Sequence, residues 1–508
     1  IKMMATMIRD SSDCAIGWNA ADEVLKGLDL FADEYQNHIK FHKCEESIAQ
    51  KVPCISLCPA HIDIPGYIAL IGEGDYAGAV NMVRRDNPFP TACGMVCEHP
   101  CEERCRRKML ESPINIRGLK KFAVDQMRAD KVKTPKPNPS TGKKVAIIGG
   151  GPAGMTCAYF LALMGHKAVV YESHDKLGGM LRYGIPNYRL PRERLQSEID
   201  WLLSAGIEVE LEHPVLGEEL QELRKTYDSV FVGIGAHTDK KLGLEGEDLN
   251  GVESAVKLLR AVGDYDIPDL SGQEIVVIGG GNVAMDVART SVRLGAKKVS
   301  IVYRRRVTDM TAQDAEIAGA QAEGCEILEL TSPLSIVSDG AGNVSGLLVQ
   351  PQIIGAPKWG RPAPRASQEE TRVVPCDKVF VAIGQDIEYQ SFEVIGIPVQ
   401  KNRIVTASDG SIEGFLGVFS GGDCKSGPST VIKAIEAGKV AAANIDRSLG
   451  CDHKVTLNVE LPSLKIKGLR QCGRCEMKER ESSERVHDWN LVEIGLTEEE
   501  AHQEAARC

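Results

Sequence analysis

Two glycine-rich turns, each set between an apolar strand and a helix, constrain this chain more than any other feature. The run KKVAIIGGGPAGMTCAYFLALMGHKAVVYE begins at Lys143, and QEIVVIGGGNVAMDVARTSVRLGAKKVSIVYRR begins at Gln273. Each reads as strand, tight turn, helix and second strand, the βαβ unit that holds a dinucleotide. Two such units predict an α/β fold with two Rossmann-like dinucleotide-binding domains. The 50 glycines and 5% aromatic residues suit a chain with many strand-to-helix turns. A net charge of −11 argues against a nucleic-acid partner. No apolar run reaches the roughly 18 residues a membrane helix needs, so no membrane insertion is expected. The opening IKMMATMIRD lacks the apolar core of a signal peptide, which points to a cytoplasmic location. Because the chain starts with Ile, further residues upstream are expected.

In the first turn Gly149, Gly151 and Gly154 are spaced G-x-G-x-x-G. The first permits the turn, the second lets backbone approach a pyrophosphate, and the third lets helix pack on strand. Glu172 closes the second strand, where an acid meets an adenosine ribose. DKLGGMLRYGIPNYRLP follows, with Gly179 in a glycine pair. SVFVGIGAH and DKVFVAIGQ each give an apolar strand ending in glycine, which brings backbone close to a ring system. In VFSGGDCKSGPSTVIKAI, Gly422 and Asp423 follow a strand, and a helix begins near Ser429 and Thr430. An acid there can hold a ribitol hydroxyl, and the helix N-terminus can stabilise negative charge on a reduced ring. The second turn supplies Gly279, Gly281, Asn282 and Val283, and its strand ends in Arg304, Arg305 and Arg306. An acid at that strand end would select NAD. Guanidinium groups suit a 2′-phosphate instead, which favours NADP(H) over NAD(H), although charge runs are also ordinary solvated surface.

The cysteines carry a second signal. Cys93, Cys97, Cys101 and Cys105 are evenly spaced, and PCISLCP places Cys54 and Cys58 upstream. Disulfides are disfavoured in an intracellular chain. Zinc sites more often pair C-x2-C units across a loop, whereas iron–sulfur clusters use close cysteines with one distant ligand. Cys325, Cys376, Cys424 and Cys451 show no spacing signal, Cys157 reads as core, and no histidine pair has metal spacing.

Taken with NPFP, EHPCEERC, DIPGYIALI and INIRGLKKF, these motifs resemble the glutamate synthase small-subunit family of NADPH-dependent iron–sulfur flavoproteins. The same arrangement occurs in electron-bifurcating transhydrogenase subunits and in dihydropyrimidine dehydrogenase. The resemblance spans about residues 40–450. It implies FAD at the first glycine turn, with Asp423 at the ribityl-phosphate region, and NADP(H) at the second. It also implies a [4Fe–4S] cluster held by Cys58, Cys97, Cys101 and Cys105. A second cluster is less complete. Cys44 and Cys54 match two of its cysteines, a third falls on Phe41, and the non-cysteine ligand falls near Lys120, whose ammonium is a poor ligand. Cys93 is a substitute candidate.

The expected organisation is a helical cluster domain with a partner-docking N-terminal extension (1–140), then a discontinuous FAD domain (141–250 and 375–450). An NAD(P)H domain (251–374) is inserted in it, and a C-terminal extension (451–508) follows. LDLFADEYQNHIKFHKC resembles the tail of NADH-binding flavin subunits of hydrogenases. VEIGLTEEEAHQEAARC resembles the helix that precedes the first cluster in this family, which suggests the start of a ferredoxin-like segment or an amphipathic surface helix. The expected activity is hydride exchange between NADP(H) and FAD. Single-electron transfer through [4Fe–4S], bifurcating in some relatives, then connects to a partner of hydrogenase, formate dehydrogenase, ferredoxin or transhydrogenase type. The alternatives are a glutamate synthase small subunit and a nucleotide-binding scaffold without turnover.

Overall fold

The computed structural model describes residues 1–41, 52–358, 361–454 and 472–508. Two compact units form, Ile1–Ser56 and Leu57–Cys508. In the first, the helices Lys2–Ser11, Ala15–Leu30 and Ala32–Phe41 bury Ala5, Ala21 and Leu25. Ile1, Met3, Met4, Met7, Ile8 and Ile16 stay exposed.

The second unit begins with short helices, Ile64–Gly72, Tyr76–Arg84, Pro90–Val96 and Ile116–Gln126. Three of them start the same way. Asp63, Asp75 and Asn115 each accept the backbone N–H of a glycine three residues on, at 3.0, 2.8 and 2.9 Å. That cap satisfies a donor the helix itself cannot.

Behind this module stands a five-stranded parallel sheet in the order Val418–Ser420, Ser229–Val232, Lys144–Ile148, Lys167–Tyr171, Glu208–Glu210. Both glycine helices follow their strands as the βαβ pattern requires. The first, Pro152–Leu163, is buried on every side from Ala153 onward, because Val431–Ser448 covers what the sheet does not. Close approach of these helices depends on Gly438, where a Cβ would lie 2.2 Å from the Ala153 carbonyl oxygen.

The second parallel sheet runs Val252–Ser254, Lys378–Val381, Glu274–Ile278, Lys298–Val302, Glu326–Leu328. Helices cover one face, and an antiparallel sheet built on Thr331–Ser338 and Val344–Lys358 covers the other. One boundary differs from the sequence reading. Lys378–Val381, grouped there with the FAD segment 375–450, pairs in parallel with Val252–Ser254 and Glu274–Ile278 and so belongs to the second sheet. An apolar VFV run is equally content in either buried sheet, so local pattern could not place it. Just beyond it, Gln385–Asp386 pairs with Thr238–Asp239 and ties the two sheets' connecting segments together.

The C-terminal segment is an integral part of the second unit. Arg117 forks onto Glu493, Arg474 meets Glu102 at 2.8 Å, and Arg485 meets the fully buried Glu323 at 2.7 Å. The helix Glu498–Ala505 packs on Ile64–Gly72 and Ile116–Gln126 and buries Ala501, Glu504 and Ala505. No helix among the described residues is long and apolar enough to cross a membrane.

Candidate functional site

A cavity of about 980 Å³ opens where the two sheets and the helical module meet. From the first glycine turn it is lined by Gly149, Gly151, Glu172 and Gly179, and from the last strand and helix by Asp423, Ser429 and Thr430. From the second glycine turn Asn282 and Val283 reach it, and from the cysteine module Val96 and Glu98, which flank Cys97. Thus residues spread over more than 300 positions of sequence share one space.

Its shape suits a dinucleotide. Gly149 turns at φ +103°, and a Cβ on Gly154 would lie 1.9 Å from the Gly149 carbonyl oxygen, so helix and strand touch directly. Gly151 and Gly179 face each other with no side chain between them: a Cβ on Gly179 would lie 2.7 Å from the Gly151 Cα. Two buried polar atoms on the wall, Thr430 Oγ1 and His237 Nδ1, have no protein partner. Unpaired polar atoms of this kind are costly unless a ligand satisfies them. Glu172 accepts the Gly150 N–H at 2.8 Å and the His174 N–H at 3.0 Å. Burial alone would raise its carboxyl, but the bonds to His174 and Gly150 outweigh it and hold the group ionised. Burial dominates at Asp423 and pushes its carboxyl up to about 6.

At the second glycine turn a Cβ on Gly279 would lie 2.3 Å from the Ala382 carbonyl oxygen, and one on Gly280 would strike the Tyr303 ring. The helix Asn282–Arg293 starts directly after Gly281. Asn282 bridges modules: its Nδ2 donates to Glu98 at 2.9 Å, and its Oδ1 accepts the Gln313 N–H at 2.9 Å. Gly154, Gly422, Gly279, Gly281, Arg304 and Arg305 do not line the cavity. The arginines stand beyond the end of Lys298–Val302. Arg305 donates to the Pro362 carbonyl at 2.8 Å, Arg306 is held by Asp309 at 2.9 Å, and Arg304 is exposed with no ion pair among the described residues.

Cys58, Cys97 and Cys101 are buried, Cys105 is half-buried, and none forms a disulfide. The turn after Pro90–Val96 carries His99 at φ +42°, which points its N–H at the Cys97 sulfur, 3.4 Å away. Ile114 N–H points at the Cys105 sulfur at 3.5 Å. Burial raises the Cys58 and Cys101 thiols, while the Cys93 thiol donates to Cys97 and lowers it. Burial works against the ammonium of Lys120, 5% exposed, while the neighbouring Cys97, Cys93, Cys101 and Cys58 favour it, and no carboxylate pairs with it among the described residues. A buried ammonium among thiols fits an anionic thiolate-bound cluster, whose net charge it offsets. Cys93 lies beside Cys97, within this same group. Cys54 sits on Pro53–Leu57, in the first unit, and Cys44 lies outside the described residues.

The helix bearing Cys93 is fixed to the first sheet domain by a buried carboxylate. Glu198 accepts the Thr91 and Ala92 N–H groups at 2.6 and 3.0 Å and so caps Pro90–Val96. Sequence reasoning missed Glu198, and it missed the cavity residues His174, His237 and Arg189. Arg189 meets Asp286 of the second glycine helix at 2.8 Å across the cavity wall. No local pattern marks such pairs, because their partners lie about a hundred residues away.

Comparison with known proteins agrees with this geometry. Residues 143–438 match the pyridine nucleotide-disulphide oxidoreductase family, and residues 30–132 match dihydropyrimidine dehydrogenase domain II, 4Fe-4S cluster. The chain is 36% identical to the NADP(+)-dependent formate dehydrogenase subunit beta of Moorella thermoacetica, over 90% of this chain and 70% of that one. It is 35% identical to the NADPH-Fe(3+) oxidoreductase subunit beta of Geobacter sulfurreducens, over 90% and 74%. With the Escherichia coli glutamate synthase [NADPH] small chain it shares 34% identity, over 77% and 87%. Among solved structures, Mycobacterium tuberculosis FprA in complex with NADPH matches with a TM-score of 0.53 at 21% identity, over 62% of this chain and 85% of that one, a likeness of fold. The chain therefore belongs to the pyridine nucleotide-disulphide oxidoreductase family, as an NADPH-dependent oxidoreductase that combines FAD with a [4Fe–4S] module.

Proposed function

We propose that this chain is the pyridine-nucleotide subunit of a larger redox complex, exchanging hydride with NADP(H) and single electrons with a partner subunit. The observation that carries this reading is the shared cavity: the first glycine turn, Asn282 and Val283 directly after the second, and the residues flanking Cys97 line it together. Bound FAD supplies the conversion between hydride and single electrons, and the cluster supplies one-electron storage.

The protein's part is placement and charge. Gly149, Gly151, Gly154 and Gly179 admit the FAD pyrophosphate, and Glu172 meets the adenosine ribose. Gly422, Asp423, Ser429 and Thr430 hold the other half, with Thr430 Oγ1 as an open donor. Gly279, Gly281, Asn282 and Val283 form the NADP(H) turn, and of the strand-end arginines Arg304 is free to meet its 2′-phosphate, with Arg305 beside it held by the Pro362 carbonyl. Cys58, Cys97, Cys101 and Cys105 ligate the [4Fe–4S] cluster, with Lys120 as a fixed countercharge. The Asn282–Glu98 hydrogen bond holds the nucleotide turn against the cysteine turn, and the Arg189–Asp286 pair holds the helix after that turn against the first sheet domain. Hydride transfer itself needs no protein acid or base, so none is assigned.

The partner reading rests on relatives named as beta subunits, which match 90% of this chain. A second reading, a glutamate synthase small subunit, is favoured by the 87% of the Escherichia coli small chain that aligns. That chain leaves more of the present one unmatched, which supports the first.

The test is anaerobic titration of the purified protein with NADPH, then NADH, following flavin and cluster absorbance. Bleaching of both by stoichiometric NADPH is the expected result. Bleaching of flavin alone would reject electron passage to the cysteine module. Cys58→Ala should lose the cluster iron and keep FAD. Chains that co-purify separate the two partner readings.

A further inference from the structure

We infer that the first nucleotide domain carries a zinc site of its own, built from His166, Asp446, Cys451 and His453. The ligand atoms of these four residues all lie within 4.8 Å of one another. Asp446 Oδ1 sits 2.7 Å from His166 Nε2 and 2.7 Å from His453 Nδ1, while Asp446 Oδ2 accepts the His453 N–H at 2.7 Å. Two imidazoles therefore converge on one buried carboxylate oxygen, and a thiol stands beside them.

Burial of the ligand atoms and the anchoring of His166 suit a cation at that point. The His166 and Asp446 side chains are essentially fully buried. His166 is oriented from behind: its Nδ1 lies 2.7 Å from Thr141 Oγ1. Fixing one ring nitrogen by an outer partner and aiming the other inward is how metal-binding histidines are held. Two nitrogens, one oxygen and one sulfur are a donor set that zinc accepts and that calcium or magnesium, which take oxygen ligands, do not. Four protein ligands make the site closed, hence structural rather than catalytic. On binding, Zn²⁺ takes the place of the Cys451 thiol proton and of any proton shared between imidazole and carboxylate. No electron moves.

The chain path explains what such an ion would fasten. Asp446 lies in the last turn of Val431–Ser448, and Gly450, at φ +83°, turns the chain so that Cys451 and His453 fold back on it. His166 sits in the short link between Pro152–Leu163 and Lys167–Tyr171. The ion would join the C-terminal ends of the two helices whose N-terminal ends face the cavity. At 1.5 Å per residue, helices of this length place it roughly 18–27 Å from the cavity.

The experiment uses holoprotein with flavin and iron intact, exposed to zinc and then desalted. Metal content is read by mass spectrometry and coordination by zinc K-edge X-ray absorption. The expected result is about one zinc per chain with one sulfur and three lighter ligands. The double variant Cys451→Ser/His453→Ala should retain iron and FAD and lose the zinc. Thr141→Val, which leaves all four ligands in place, should weaken zinc affinity about 10- to 100-fold. Chelation of wild-type zinc should lower its melting temperature, a readout that needs no variant. Three results would overturn the assignment: substoichiometric zinc, zinc bound by four sulfurs, or zinc retained in the double variant. Any of them would leave His166, Asp446 and His453 as a metal-free hydrogen-bonded pin.

Discussion

Replacing Arg304 by alanine should abolish most of the preference for NADPH over NADH. The three arginines after the strand Lys298–Val302 look alike in sequence, but the structure distinguishes them. Arg305 spends its Nε–H on the Pro362 carbonyl at 2.8 Å, and Arg306 is forked onto Asp309 at 2.9 and 3.0 Å. Arg304 is exposed and unpaired among the described residues, so its guanidinium is free for a phosphate. A hydrogen bond to a charged group contributes about 1.5–3 kcal/mol. At about 1.4 kcal/mol per tenfold, its loss corresponds to a roughly 10- to 150-fold fall in kcat/KM for NADPH. Anaerobic stopped-flow reduction of the flavin by each coenzyme measures this. NADH efficiency should hold steady in Arg304→Ala, and Arg306→Ala should leave the NADPH to NADH ratio almost unchanged. An unaltered ratio in Arg304→Ala, or an equal fall for both coenzymes, would refute the phosphate-binding argument.

Three further outcomes follow from the geometry. Glu323→Gln removes a fully buried carboxylate that pairs with Arg289, Arg293 and Arg485; Arg289 keeps Glu316 and Arg485 keeps Glu479, but the buried Arg293 is left with no carboxylate among the described residues; chemical denaturation should show a loss of about 3–5 kcal/mol. Gly154→Ala puts a methyl 1.9 Å from the Gly149 carbonyl oxygen, so the protein should purify with little or no FAD, read from its visible absorbance. Asp423 gives a pH signature in protein stripped of flavin. Its carboxyl holds its proton up to about 6 when folded, against 3.8 ordinarily, so the unfolded chain ionises first as pH rises. Stability should therefore fall between about pH 4 and pH 6 and level off above, and Asp423→Asn should flatten that slope in thermal melts across the range.

Much of the architecture was legible in the linear chain because it is local. A glycine turn, the strand before it and the helix after it are consecutive in sequence, from Lys144 to Leu163 and from Glu274 to Arg293, so VAIIGGGPAG and IVVIGGGNVAMD announce their own conformation. The cysteine run at 93–105 is local in the same sense. The strand Lys378–Val381 was not legible in this way. Its continuous apolar run identifies a buried strand, but the sheet it joins depends on where Val252–Ser254 and Glu274–Ile278 already stand.

The same distinction separates the two kinds of site. The sequence by itself pointed to the cofactor class, since the glycine turns, the strand-end arginines and the spaced cysteines that carry the resemblance each lie within one short segment. Tertiary structure alone decided that these segments share one cavity, through pairs such as Asn282 with Glu98 and Arg189 with Asp286. It alone brought His166 to Asp446, 280 positions apart, and gave Cys451 and His453 a meaning that their own neighbourhood lacks. The physical reason is that a hydrogen bond or a metal ligand acts over about 3 Å of space and has no range along the chain, so only packing can assemble partners that the sequence keeps apart.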